Sequence, residues 1–143
     1  MPTQDELVAV LQAYQDKLTE ALQQGGFSRY EQVFANPPAG VAVHEMDTTA
    51  TIKRVNHEEL RILGYTTEQM VGRPIWEFVV MSDLSRQSVL KKLAGQKDIK
   101  PFVRTFRRAD GTGVAMVIVD RRLSDHKGQP VGIRTAMMVV GEG

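Results

Sequence analysis

Between residues 55 and 83 the signals that start and stop helices crowd together too closely for any long helix, and that crowding limits what the whole chain can fold into. Asn56 stands where its side chain can accept a backbone N–H bond at a helix start. Leu60, Ile62 and Leu63 follow as apolar positions, and Gly64 supplies a left-handed stop. Thr66 or Thr67 caps a second piece, with Glu68 and Gln69 in its first turn and Gly72 closing it. Pro74 fits the first position of a third piece carrying Ile75, Trp76, Phe78 and Val79. Isolated helices below ~12 residues are marginal in water, so this knot must close over a packing partner, and a sheet is the expected one.

The flanks supply that sheet. Residues 40–46 alternate, with Val41 and Val43 on one face and Ala42 and His44 on the other; residues 47–50 turn, and residues 51–55 return as a second strand. Beyond the knot, Ser82 caps a longer helix over residues 84–93, with Val89, Leu90 and Leu93 facing inward and Gly95 ending it. Three strands follow, over residues 102–108, 114–123 and 131–140. Their connections, Asp110-Gly111-Thr112-Gly113 and Asp125-His126-Lys127-Gly128, are rich in residues that tolerate positive φ. Two strands, several helices, then three strands predict an α+β fold: a five-stranded antiparallel sheet with short helices gathered on one face.

Residues 4–24 form the one long helix in the pattern. Leu7, Leu11, Tyr14, Leu18 and Ala21 recur at alternating steps of four and three, Thr3 and Glu6 make a capping box, and Gly25-Gly26 ends the run. The stripe either covers the domain's own sheet or pairs with its copy in a second subunit. The expected division is an N-terminal amphipathic helix over residues 1–26 and a domain over residues 27–143. The expected assembly is a homodimer through Leu7, Leu11, Tyr14 and Leu18, joined by Met138 and Val140 of the last strand.

Composition excludes more than it selects. A chain of 143 residues with 42% apolar content suits one domain with a real core, and a net charge of +1 gives no electrostatic argument for nucleic acid or an anionic membrane. Without cysteine there is no disulfide framework, thiolate nucleophile or thiol-bound metal. No apolar run approaches the ~18 residues of a membrane span and the start lacks the apolar core of a signal peptide, so a cytoplasmic location is expected. His57-Glu58-Glu59-Leu60-Arg61 begins like a zinc-protease helix, but Arg61 stands where the second histidine belongs. Glu58, Glu59, Lys91 and Lys92 read as solvated helix faces, His126 as a solvated turn, and His44 as facing solvent or the N-terminal helix. A small α+β enzyme is therefore disfavoured for want of a buried acid/base pair.

Several of these residues carry a family resemblance. Asn56, Leu63-Gly64-Tyr65, Glu68, Gly72-Arg73-Pro74 and Ser82-Asp83 stand in the order and spacing of the strand-to-helix segment of PAS domains. Arg107-Arg108-Ala109-Asp110-Gly111 and Asp125-His126-Lys127-Gly128-Gln129-Pro130-Val131-Gly132 resemble that family's two hairpin turns, so that the likeness spans about residues 34–140. The resemblance implies a sensory or protein-interaction module. Members of the family bind haem, flavin, another chromophore or a metabolite between helices and sheet, or show no cofactor. The cysteine-linked photoreceptor chemistries lack their residue here, and no histidine lies on the helix over residues 84–93 where haem would need one. No cofactor is expected. Noncovalent flavin keeps only the support of Trp76 and a possible inward arginine, and a small apolar or anionic ligand stays open.

The candidate pocket is bounded by Val43, Ile52, Leu63, Met70, Trp76, Val79, Arg104, Ile133 and Thr135, with Leu60, Ile75, Leu90 and Val117 around them; a filled core is the alternative, because close packing is the default. Phe102, Arg104 and Phe106 share strand parity. Either all three point to the core, where a guanidinium demands an acidic partner or an anionic ligand, or Val103 and Thr105 do and Arg104 is exposed. The last strand is apolar on both faces, which calls for a cover on each. After it the chain reads Val140-Gly141-Glu142-Gly143 in place of the Asp-x-Thr that the resemblance leads one to expect before a linked effector. The reading adopted is a signalling module that responds to a ligand or a partner by repacking its sheet surface. The alternative is a ligand-free homodimerisation module.

Overall fold

The computed structural model describes residues 2–142, so the final Gly143 of the expected domain lies outside the described residues. Its elements are α1 (Gln4–Ala35), β1 (Ala42–Met46), β2 (Ile52–Val55), α2 (His57–Leu63), α3 (Thr67–Met70), a 3-10 turn (Ile75–Phe78), α4 (Ser82–Leu93), β3 (Phe102–Arg107), β4 (Gly113–Ser124) and β5 (Pro130–Glu142). The strands form one antiparallel sheet in the order β2-β1-β5-β4-β3. The first hairpin is therefore joined to the last three strands through β5, which occupies the centre.

Local chemistry sets the helix ends. Asn56 accepts the Glu59 N–H at 3.0 Å, and Gly64 takes the left-handed conformation at the C-terminus of α2. Thr66 and Gln69 make a reciprocal capping box around α3. Three expectations shift by a residue or more. Met81, not Ser82, precedes α4, and no side chain caps it. Gly26 (φ 72°) interrupts α1 as expected, but helix resumes beyond it as far as Ala35. Pro74 likewise precedes the 3-10 turn instead of opening it.

The sheet is covered on both faces, giving two cores. One lies under α2, α3, the 3-10 turn and α4, and contains Ile52, Leu63, Met70, Phe78, Phe106, Met116, Ile133 and Met137. The other lies under α1 and joins Leu7, Leu11, Tyr14 and Leu18 to Val41, Val43, Val117, Val119 and Ala136. Leu11 and Leu18 are wholly buried there, and each such leucine is worth about 2 kcal/mol of apolar burial. The stripe on α1 thus covers the chain's own sheet. The four residues expected at a dimer interface are engaged within the chain, while Met138 and Val140 remain half-buried beside them.

Candidate functional site

Three strands cross the centre of the sheet in register, and at one level they present His44 (β1), Thr135 (β5) and Asp120 (β4) side by side. All three face the helical side and are buried. His44, expected to face solvent or the N-terminal helix, is instead fully buried on the opposite side, and its Nδ1 lies 2.8 and 2.9 Å from the two carboxylate oxygens of Glu59 on α2. Glu59, read as solvated, is equally buried because it sits one residue past the exposed side of α2. The ground for setting an enzyme aside therefore fails, since this is a buried acid/base pair. Burial alone would lower the His44 pKa. The Glu59 carboxylate, through charge and hydrogen bond and with help from Asp120 and Glu45, more than offsets it, so the pKa stands above the ordinary 6.5.

Beside this pair, the Thr135 hydroxyl donates to Asp120 Oδ1 at 2.5 Å, and Lys92 Nζ of α4 lies 3.3 Å from Asp120 Oδ2. Lys92 was also expected to be solvated; it is 4% exposed, its ammonium 3.6 Å from the centre of the Phe102 ring. Burial lowers its pKa, partly opposed by Asp120 and reinforced by Lys97 and Arg104. Phe102, Arg104 and Phe106 all turn to this side, which settles the parity of β3 in favour of the inward arginine. The Arg104 guanidinium stacks 5.2 Å from the Phe102 ring and forms no ion pair among the described residues.

These groups surround a cavity of about 30 Å³, the space of roughly one water molecule. Of the residues expected to bound a pocket, Ile75, Val79, Arg104 and Thr135 line it. Ile52, Leu63, Met70 and Ile133 are packed into the core beside it, and Trp76 is half-buried against that core with Arg86 over its ring. Val43 and Val117 belong to the opposite face, and Leu90 is partly exposed. Sequence reasoning missed His44, Lys92 and Asp120. Alternation cannot say which face of a strand is which when both are covered, and their partners lie far away in sequence.

The neighbouring level of the sheet faces α1. There Glu45, Arg134 and Arg121 stand in register across β1, β5 and β4. Arg134 is buried and donates to Gln15 Oε1 (2.6 Å), the Gln15 carbonyl (3.0 Å), the Thr19 hydroxyl (2.9 Å) and the Tyr30 oxygen (3.2 Å). The Tyr30 hydroxyl in turn donates to Glu45. Burial, partly opposed by Arg134 and supported by Glu45, pushes the Tyr30 pKa up to about 12 and so keeps that proton in place. Gln15 Nε2 donates to the backbone carbonyls of Val119 and Arg134, both at 2.9 Å, and Arg121 reaches Asp16 at 2.9 Å. Each polar row therefore lies directly behind the other, one peptide apart.

The PAS fold family matches residues 28–140 of this chain. The chain belongs to the PAS family. PAS domains are sensory and signalling modules, and several solved structures similar to this one carry the same name. A PAS domain from Colwellia psychrerythraea superposes with a TM-score of 0.68 at 16% identity, over 80% of this chain and 96% of that one. The PAS domain of an HTR-like protein from Haloarcula marismortui gives 0.62 at 25% identity, over 88% and 98%. The PAS domain of a LuxR-family transcriptional regulator from Burkholderia thailandensis, solved in complex with ethanol, gives 0.60 at 17% identity, over 78% and 96%. No curated protein matches the sequence. No helix among the described residues is long and apolar enough to cross a membrane.

Proposed function

We propose that this PAS domain is an input module in which a change at the buried His44–Thr135–Asp120 row is passed through the sheet to α1. The observation that carries the reading is the back-to-back placement of two polar rows: His44 adjoins Glu45 and Thr135 adjoins Arg134, and the second member of each couple belongs to the α1 network. Packed interiors shift between discrete arrangements and do not deform smoothly, so moving one member of a packed, hydrogen-bonded row displaces its neighbour. A relative of the same fold was solved with ethanol, which fits a small occupant. α1 is then the output surface. Its exposed Val10, Leu22 and Phe27 offer apolar contacts to a second copy or to a signalling partner that Leu7, Leu11, Tyr14 and Leu18 cannot supply while they cover the sheet.

Amide hydrogen exchange on Thr135→Val tests this without any ligand. The substitution removes the hydroxyl that donates to Asp120 and leaves every α1 contact in place. Faster exchange in α1, beyond any change in the central amides of β4 and β5, is the expected result. Uniform loss of protection, or none in α1, would instead favour a ligand-free dimerisation module.

A further inference from the structure

We infer that the cavity beside His44 accepts the head group of a small monocarboxylate, with its short apolar tail directed along the adjoining core. The inference rests on the input-module reading and adds the class of occupant.

Two observations on this face point to an anion. The first is an unanswered hydrogen-bonding atom. His44 is fully buried, Glu59 holds its Nδ1, and Nε2 meets no protein hydrogen-bond partner among the described residues, although the ring borders the cavity. A buried polar atom without a partner forfeits its hydrogen bond to water with nothing in return, so an acceptor for the Nε2–H of the imidazolium is favoured there. The second is charge. With His44 in the protonated form that the Glu59 carboxylate favours, His44, Lys92 and Arg104 are three cationic groups against two carboxylates, Glu59 and Asp120, and the local ion pairs leave Arg104 over. One negative charge on the occupant closes that balance, and a carboxylate presents one oxygen to an imidazolium and another to a guanidinium. Val79, Phe106 and Ile118 also line the cavity and accept an aliphatic tail. The entrance lies between α4 and β3, where Ser88, Phe102 and Arg104 are only half-buried, so a molecule larger than the resting space enters by displacing the Arg104 side chain.

The test is a titration of the whole chain with sodium butyrate in a buffer free of carboxylates, followed through the His44 ring resonances, with 1-butanol and sodium chloride as parallel arms. The expected result is a saturable His44 shift with Kd of about 1 mM or tighter for butyrate, at least tenfold weaker binding of 1-butanol, and no shift with chloride. Arg104→Met should weaken butyrate at least tenfold; Arg104→Gln serves equally if the first variant fails to fold. Equal binding of butyrate and butanol, a response to chloride, an Arg104 variant that binds butyrate as the parent does, or no saturable shift would each overturn the inference. The exchange experiment on Thr135→Val uses no ligand, so its outcome judges the input reading separately.

Discussion

At the scale of single residues, the weight falls on His44, whose imidazole is locked between β1 and α2 by both oxygens of Glu59. Charge surrounds it from several elements, with Glu45 beside it on β1, Glu59 on α2, Lys92 on α4, Arg104 on β3 and Asp120 on β4, while its strand neighbours Val55 on β2 and Thr135 on β5 are neutral. The net effect holds its folded pKa above the ordinary 6.5, so the folded state binds a proton that the unfolded chain releases. A group shifted in this direction stabilises fully below pH ~6.5, and that contribution is lost as pH rises from there through the folded value. Urea unfolding across pH 6 to 9 should therefore show stability falling with pH, and His44→Gln should flatten that slope. An unchanged slope in the variant would contradict the assignment. The pair could not be read from the sequence. Asn56 as the cap of α2 was legible, but which of Glu58 and Glu59 turns inward depends on one residue of helix rotation against a strand fifteen positions upstream.

At the scale of elements, the ends of α2 and α3 were legible because their signals act within three or four residues: Asn56, Gly64 and Thr66 all do what their chemistry suggests. So were the two hairpin turns, where Asp110 accepts from Thr112 and Asp125 from Lys127 and Gln129. Less local devices escaped. β5 crosses the end of β1 so closely that a Cβ at Gly132 would lie 1.9 Å from the Met46 carbonyl oxygen. Backbone on both sides leaves no side chain free to yield. Gly132→Ala should accordingly cost at least ~2 kcal/mol in urea unfolding, by forcing β1 and β5 apart at the end of β1 near Met46. A loss under ~0.5 kcal/mol would show that the two strands separate there easily.

At the scale of the whole molecule, the sheet works as a partition with a core on each side. The expected α+β architecture, the five strands and the leading helix all follow from patterns of period two and period three to four. The assignment of faces does not, because β1, β4 and β5 are covered twice over; Val43 and Val117 therefore lie under α1 although they read equally well as lining the helical side. The same double cover places Thr135 and Arg134 in separate networks on consecutive residues, and the account of signalling rests on the two being energetically linked. A double-mutant cycle in urea unfolding, combining Thr135→Val with Gln15→Leu, measures that link directly, since the two side chains lie on opposite sides of the sheet. The account predicts a coupling of at least ~0.5 kcal/mol; effects that add to within ~0.3 kcal/mol would contradict it.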